Sequence, residues 1–177
     1  MTSVSRMVPD LLRIALRRVW VERPDLVTDR AHERTVVAAI AGALTVVMKP
    51  FDERWRADVE YNRIWRGDAA KRKLLEQKIV DCTHGANWIR LSGRFPDLIV
   101  HDPRHGAEMP NLLVLEAMVG RRGGDKKRDS DREKIFDLME QLDYKFGVFL
   151  EFDGTGGRPR LQWLTIDPRA VSAVEEL

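Results

Sequence analysis

Two carboxylates stand beside apolar runs in the second half of this chain. Asp97 precedes the run at residues 98–100, and Glu116 directly follows the run at residues 112–115. Such runs are typical of buried strands, where a charged group costs free energy unless a metal ion or a partner compensates it. Carboxylate oxygens are the ligands that Mg²⁺ prefers in proteins. The two residues therefore predict either a metal site or a buried ion pair.

A third acidic residue, Glu33, is expected near these two because of the helix that contains it. This helix is predicted to begin near Thr28 or Asp29, either of which can cap it, and to end at Met48 before Pro50. Its apolar stripe recurs at steps of three and four residues, through Val37, Ile40, Leu44 and Val47. Because Glu33 lies on the same line one turn earlier, we expect it to point toward the sheet. Three carboxylates together can bind Mg²⁺ or Mn²⁺ and orient an attacking water.

The strands that carry Asp97 and Glu116 are predicted to form a hairpin. The segment between them contains Pro103, Gly106 and Pro110, which favour a turn. Since residues two apart in a strand share a face, Glu116 is expected on one face with Leu112, Val114 and Met118.

Periodicity and turn residues predict the remaining elements. One helix is predicted at residues 9–22 and ends before Pro24, and another is predicted at residues 69–80 with Asp68 as its cap. A further helix is predicted from an apolar stripe at helical spacing, formed by Ile135, Leu138, Met139 and Leu142. That last helix follows a polar loop at 120–128 and begins with a capping-box spacing between Ser130 and Glu133. The predicted strands cover residues 55–62, with Trp55, Ala57, Val59 and Tyr61 on the buried face, 146–152 and 161–166.

The order of these helices and strands predicts an α/β fold, and the length and composition indicate one domain with a substantial core. The chain has 177 residues, of which 44% are hydrophobic and 33% charged, and its net charge is +2. We divide it into an N-terminal helical segment at 1–27, a core at 28–166 and a C-terminal tail at 167–177. Cys82 is the only cysteine, which excludes an intrachain disulfide and favours a reducing cytoplasm. Arginines interrupt the N-terminal apolar stretch, and the apolar stretch at 36–48 is too short to span a membrane, so neither a secretory signal nor a membrane anchor is expected.

Four segments of the chain resemble the PD-(D/E)XK nuclease superfamily. They are DVEYNR at 58–63, PDLIVH at 96–101, NLLVLE at 111–116 and YKFGVFL at 144–150, and the similarity covers roughly residues 28–152. The resemblance implies a restriction-endonuclease-like three-layer core, in which a central mixed β-sheet is flanked by helices. It also implies that Glu33, Asp97 and Glu116 hold Mg²⁺ or Mn²⁺. The implied activity is hydrolysis of DNA phosphodiester bonds, with RNA as another partner and a homodimer as a common assembly.

One position departs from the family's pattern. The family has a lysine two residues after the glutamate, and this chain has Met118 there. A methionine can neither position the nucleophilic water nor neutralise charge. Three explanations are open. The site is inactive and the chain binds nucleic acid without cutting it, or the methionine was introduced by substitution. In the third, a lysine elsewhere in the chain performs the role of the missing one. Lys134, one step from the apolar stripe of its helix, is the leading substitute, with Lys126 and Lys127 as further candidates.

A second group of residues is typical of phosphate binding. Five of the nine residues from Gly120 onward are cationic, namely Arg121, Arg122, Lys126, Lys127 and Arg128. This segment is either a grip on nucleic-acid phosphates or a solvated loop. Weaker candidates are Arg63 and Arg66 for phosphates, Trp65 and Trp88 for base stacking, and His101 with His105 for a metal. Met118 keeps open a catalytically inactive nucleic-acid-binding or protein-interaction module on the same fold, and the near-neutral net charge keeps open a structural or interaction protein with no nucleic-acid role.

Overall fold

The computed structural model describes residues 3–28, 32–59, 63–66, 69–72, 75–80, 87–92, 96–104, 111–120, 124–153, 157–165 and 174–177. Its helices are α1 (Ser3–Glu22), α2 (Pro24–Thr28), α3 (Glu33–Met48) and α4 (Gly124–Leu142). Its strands are β1 (Arg56–Val59), β2 (Arg63–Arg66), β3 (Ala69–Arg72), β4 (Leu75–Val80), β5 (Asn87–Ser92), β6 (Leu98–His101), β7 (Asn111–Val119), β8 (Phe146–Phe152), β9 (Arg160–Leu164) and β10 (Val174–Glu176). None of the helices in the described ranges has the length and apolar content that crossing a membrane requires.

Six strands form one mixed, open sheet in the order β1-β6-β7-β8-β9-β10. The pair β7 and β8 is parallel, and α4 makes the crossover between them, while the other neighbours in the sheet are antiparallel. This arrangement confirms the predicted α/β class. It also confirms the predicted pairing of the strands next to Asp97 and Glu116, since β6 and β7 are antiparallel neighbours.

Helices cover both faces of the sheet. Helices α1, α2 and α3 pack on one face, in an apolar core that includes Leu12, Ile40 and Leu113. Helix α4 packs on the opposite face, against Val114, Met118 and Phe149 among others. The side-chain amide of Asn111 at the start of β7 donates to the Leu142 carbonyl at a distance of 2.6 Å, which satisfies one free acceptor at the end of α4. The sheet and α4 are thus fixed relative to one another at the edge from which β7 begins.

Two small hairpins interrupt the chain between β1 and β6. Strand β2 pairs with β3, and β4 pairs with β5, in separate two-stranded sheets. The segment that contains them begins and ends at adjacent positions of the main sheet, because Val59 at the end of β1 is the register partner of Leu98 at the start of β6. The chain therefore leaves the main sheet and returns to it at neighbouring positions.

The predicted helix at 69–80 is wrong, since β3 and β4 occupy that range. The segment contains many good helix formers, including Ala69, Lys71 and Leu74. Helix propensity is nevertheless a weak preference, and antiparallel pairing with β2 and β5 satisfies the same backbone groups.

Both N-terminal helices begin at residues that differ from the prediction. Helix α1 begins at Ser3 and contains Pro9 in its interior, because the burial of its apolar face offsets the backbone hydrogen bond that proline loses. Helix α3 begins at Glu33 rather than at Thr28 or Asp29. Thr28 instead ends α2, which starts at Pro24, a residue well suited to the first turn of a helix. The predicted ends of these helices at Glu22 and Met48 are confirmed.

The predicted loop at 120–128 is wrong in its second half, because α4 begins at Gly124. Ser130 consequently lies inside the helix and does not cap it. Lys126, Lys127 and Arg128 lie in the first two turns, where the helix dipole disfavours cations. Acidic neighbours compensate two of them, since Arg128 pairs with Asp125 and Glu151, and Lys127 pairs with Glu33.

Two smaller differences concern the sheet. A bulge between β6 and β7 shifts the register between Val100 and His101, so Leu112 packs in the α1/α3 core, whereas Val114 and Met118 face α4. Leu112 therefore does not share the face of Glu116.

The segment at 167–177 is not merely a tail, because its strand β10 pairs with β9. Tyr61 lies outside the described residues, whereas Trp55 is buried and Ala57 and Val59 pack against the core as expected.

Candidate active site

Asp97 and Glu116 lie side by side at one end of the β6–β7 pair. The register partner of Leu98 is Leu115, so the residue before β6 falls next to Glu116. The backbone N–H of Asp97 donates to Glu116 Oε1 at 3.3 Å, and the Ala117 N–H donates to Asp97 Oδ2 at 2.8 Å. Glu116 is only 2% exposed. Two carboxylates are therefore held together where water has little access.

Lys134 places a cation directly on this pair. Its Nζ lies 2.8 Å from Glu116 Oε2, and the two side chains are 17% and 3% exposed. Helix α4 makes this contact possible, because its apolar stripe, beginning at Ile135, packs on the sheet face that Glu116 shares with Val114. The structure thus brings together Asp97, Glu116 and Lys134.

Glu33 approaches the same end of the sheet from α3. Together with Arg34, Val37, Val59 and Asp97 it lines an open cleft of about 210 Å³. Its carboxylate is 3.5 Å from Lys127 Nζ, so the ends of α3 and α4 are linked across the sheet edge. Glu33 consequently faces the cleft next to Asp97 and is paired there with a cation from α4.

Asp131 is a fourth acidic member of this site. It follows Lys127 by four residues and precedes Lys134 by three, so one face of α4 presents a cation, a carboxylate and a cation in sequence. Its charge interacts with those of Lys127, Lys134 and Glu33, and it also acts on Asp97 and Glu116. The sequence reasoning missed this residue. The helical spacing between the two lysines was the signal that could have found it.

Burial raises the pKa of three carboxyl groups in the site. The pKa of Glu116 rises to about 8, mainly because the group is removed from water and secondly because Asp97 is close, and Lys134 opposes the rise. Burial likewise raises the pKa of Asp97, against the hydrogen bond from the Ala117 N–H and the charge of Lys134. Burial also raises the pKa of Asp131. In all three groups the largest cause is removal from water, which disfavours the ionised form of a carboxyl group.

The donor chemistry of the site suits a hard divalent cation. When ionised, Glu33, Asp97, Glu116 and Asp131 carry four negative charges, and Lys127 and Lys134 supply two positive ones, so two negative charges remain. All four offer oxygen atoms, as Mg²⁺ and Mn²⁺ require. Among the residues that the structure describes, however, no three acidic, histidine or cysteine side chains are grouped in a way that could hold a metal ion. Two of these carboxylates, Glu33 and Glu116, are paired with lysines of α4.

Met118 is part of the apolar core beneath α4. It is 1% exposed and belongs to the same cluster as Ile99, Val114 and Ile135. Methionine fits such a position because it is flexible and apolar. Position 118, two residues after Glu116 on β7, is thus occupied by a packing residue, and the cation that contacts Glu116 comes from α4.

The residues predicted to bind phosphate differ in how accessible their side chains are. Arg121 and Arg122 lie outside the described residues. Lys126 is exposed, whereas the Nε of Arg128 donates to Glu151 at 3.1 Å. In its present position Arg128 therefore holds α4 to β8, and Lys126 is the more accessible cation.

The remaining candidates lie elsewhere. The side-chain Nε2 of His101 is 2.6 Å from Asp58 Oδ2, which is a contact between β6 and β1. His105 lies outside the described residues. Strands β2 and β5 contain the last four candidates, whose side chains lie outside the described part of the structure: Arg63, Trp65, Arg66 and Trp88.

Comparison of the chain with protein-family models, with curated proteins and with solved structures finds no match.

Proposed function

We propose that this protein is a metal-dependent nuclease that hydrolyses DNA phosphodiester bonds on a restriction-endonuclease-like core. The observation that carries the proposal is the 2.8 Å contact between Lys134 Nζ and Glu116 Oε2. It brings a cation to the carboxylate pair from α4 and so supplies what Met118 cannot. The sheet order is consistent with the proposed fold, since the strands that carry the pair are antiparallel and the next strand, β8, follows a helical crossover.

The proposed roles follow from the position of each side chain. Asp97 and Glu116 would hold Mg²⁺ or Mn²⁺, with Glu33 as a further carboxylate at the cleft. When bound, the ion would supply polarisation of a phosphoryl oxygen and a water of lowered pKa. Lys134 stabilises negative charge that develops on the phosphate, because its ammonium group is already directed at the carboxylate pair. Burial of the pair reduces competition from bulk water and strengthens these charge interactions.

A catalytically inactive nucleic-acid-binding module is the second candidate. It is favoured by the two ion pairs Lys134–Glu116 and Lys127–Glu33, which satisfy two of the carboxylates without a metal. This candidate predicts salt-sensitive binding of DNA or RNA with no turnover. The two candidates therefore differ in cleavage and agree in binding.

A cleavage assay separates them. Supercoiled, linear and single-stranded DNA, and RNA, are incubated with the full chain and Mg²⁺ or Mn²⁺. Glu116→Gln and Lys134→Met are each expected to lower the cleavage rate by about 10²-fold or more. Lys145→Met is the matched control, because Lys145 pairs with Asp143 and has no contact with the carboxylate pair. Cleavage that survives Glu116→Gln would rule out this site, and no cleavage by any folded form would favour the binding module.

A further inference from the structure

An apolar pocket lies between the last turns of α1 and the residues that precede β9. Its volume is about 290 Å³, and α1 lines one side of it with Leu16, Trp20 and Val21. Pro159, directly before β9, lines it from the other side. Val21 is 74% exposed, so part of this apolar surface faces solvent. The volume is close to the lower limit of small-molecule sites, about 300 Å³, and therefore suits one small ligand.

Two arginines at this pocket have no acidic partner among the described residues. They are Arg17 on α1 and Arg158 before β9, and both are exposed. Arg18, the next residue on α1, is instead paired, since its Nε lies 2.8 Å from Glu22 Oε1. A guanidinium group presents its donors in a fork that matches phosphate and carboxylate oxygens. The two arginines therefore give an apolar pocket a positive rim that attracts an anion.

The cavity on the other side of Arg158 has the opposite character. It has a volume of about 420 Å³, and its lining includes the acidic residues Glu151, Asp153 and Glu176. In the apolar pocket, by contrast, no acidic side chain of the described residues belongs to the lining. An anion near Arg158 is therefore favoured on the side of α1.

The shape and the lining of the apolar pocket favour an anion with a flat aromatic body. Trp20 is half-buried, so its indole ring packs against the core and is still reached by solvent. Indole rings stack well on nucleobases, and arginine forms strong paired hydrogen bonds to phosphate. A long acyl chain needs a deep, enclosed channel, whereas this pocket is small and open to solvent.

We propose that this pocket binds a nucleoside monophosphate, with the base against Trp20 and the phosphate held by Arg17 and Arg158. None of the residues that line the pocket belongs to the carboxylate site on β6 and β7. Binding here needs no metal ion. The inference is therefore independent of the proposed nuclease activity.

Calorimetry of adenosine monophosphate with the full chain tests the proposal, at low salt and with a chelator that removes metal ions. The double variant Arg17→Gln/Arg158→Gln is expected to weaken binding by about tenfold or more, because both charge-assisted contacts are lost. Arg18→Gln is the matched control and should bind as the unmodified chain does, since Arg18 is exposed, lies on the same helix and pairs with Glu22.

The contribution of the ring is measured separately. Trp20→Leu should weaken binding by about tenfold, and Trp20→Phe should weaken it less, because phenylalanine retains a stacking face. In the unmodified chain the base protons of the nucleotide should shift upfield in the NMR spectrum, and this shift should be lost in Trp20→Leu. Adenosine and ribose 5-phosphate, which each lack one half of the ligand, should bind at least about tenfold more weakly than the nucleotide.

Four outcomes overturn the inference. They are no binding of adenosine monophosphate, equal binding by the double arginine variant, equal binding by a folded Trp20→Leu chain, and tighter binding of octanoate than of the nucleotide. The last outcome would assign the pocket to apolar carboxylates instead. The arginine variants protect the test against a folding defect, because both side chains are exposed.

Discussion

At the scale of single residues, the cation beside Glu116 comes from a helix, whereas the strand position two residues after Glu116 holds a methionine. Met118 and Glu116 are two residues apart on β7 and face α4, and Lys134 reaches Glu116 from that helix. A lysine at 118 and a lysine at 134 are therefore alternative ways to bring one ammonium group to one place. This equivalence can be tested by moving the cation back to the strand.

The double variant Met118→Lys/Lys134→Met is expected to regain much of the cleavage that Lys134→Met loses. Met118→Lys alone should lower the free energy of unfolding by about 2 to 4 kcal/mol, because it buries a second ammonium in an apolar cluster. Cleavage rates and denaturant unfolding measure the two effects. A double variant as inactive as Lys134→Met, with a native fold, would contradict the equivalence.

The raised carboxyl pKa values predict how stability depends on pH. The pKa of Glu116 is about 8 in the folded chain and 4.5 in the unfolded one, so between these values the folded chain binds more protons. The free energy of unfolding should therefore fall as pH rises from about 4.5 to 8, by at most about 1.4 kcal/mol per pH unit for this group. Asp97 and Asp131, whose pKa values are also raised by burial, contribute with the same sign.

Glu116→Gln removes the largest of these contributions and should flatten the dependence. Urea unfolding at a series of pH values between 4.5 and 8 measures it. Glu176→Gln is the control, because Glu176 is exposed and pairs only loosely with Arg160 at 3.2 Å. An equally steep decline in Glu116→Gln would show that other groups cause it.

The sequence could identify Asp97, Glu116 and Lys134 because each adjoins a clear apolar pattern. It could not identify Asp131, since a carboxylate among charged neighbours on a helix resembles a solvated face until the partner elements are known. Nor could it show that Arg128 pairs with Glu151, which depends on how α4 lies on β8. The roles of Asp131 and Arg128 therefore depend on contacts between segments that are far apart in the sequence.

At the scale of elements, the position of α4 determines the position of Lys134. Gly147 on β8 allows the helix to approach the sheet closely, because a Cβ there would lie 2.3 Å from Met139 Sδ and 2.6 Å from Ile135 Cγ2. Arg132 adds two further contacts, to the Phe149 ring at 5.2 Å and to Gln162 at 2.8 Å. Together these contacts hold α4 against the face on which Glu116 lies.

Gly147→Ala should push α4 outward, lower the free energy of unfolding by about 1 to 3 kcal/mol and reduce cleavage without altering any charged residue. Thermal unfolding and cleavage rates give the two effects. Gly42→Ala on α3 is the matched control, since no atom lies within 4 Å of its added Cβ and alanine favours the helix by about 0.5 to 1 kcal/mol. Retention of both stability and activity in Gly147→Ala would contradict this role for the glycine.

Elements with a clear periodic or continuous apolar pattern could be predicted from the sequence, and elements without one could not. The periodic apolar residues of α4 and the continuous run of β7 were identified correctly. The range 69–80 was not, because its pairing in two hairpins depends on partner strands that propensity does not encode. The first turn of α4 was also missed, since Glu33 and Glu151, which pair with its cations Lys127 and Arg128, belong to other elements.

At the scale of the whole molecule, the two ends of the described chain are joined. The Arg13 guanidinium on α1 donates to both carboxylate oxygens of Glu175 on β10, at 2.7 and 2.6 Å. Both side chains are about 30% exposed, so solvent screens the pair in part. The contact ties the last strand of the sheet to the first helix.

Glu175→Gln is expected to lower the free energy of unfolding by up to about 1 kcal/mol. Glu176→Gln, next to it on β10, should have a smaller effect because its side chain is 62% exposed. Denaturant unfolding of both variants measures the difference. Equal losses in the two variants would indicate that the strand is held by backbone pairing with β9 alone.

The neighbouring positions of Val59 and Leu98 have a consequence for how this chain can vary in length. The β1–β6 pairing has already brought the two ends of the intervening segment together, so the sheet sets no requirement on how many residues connect them. Doubling such a connection adds only about 0.6 kcal/mol of closure entropy. The segment that ends beside Asp97, at the mouth of the cleft, is therefore expected to tolerate changes in length with little effect on the pairing of β1 and β6.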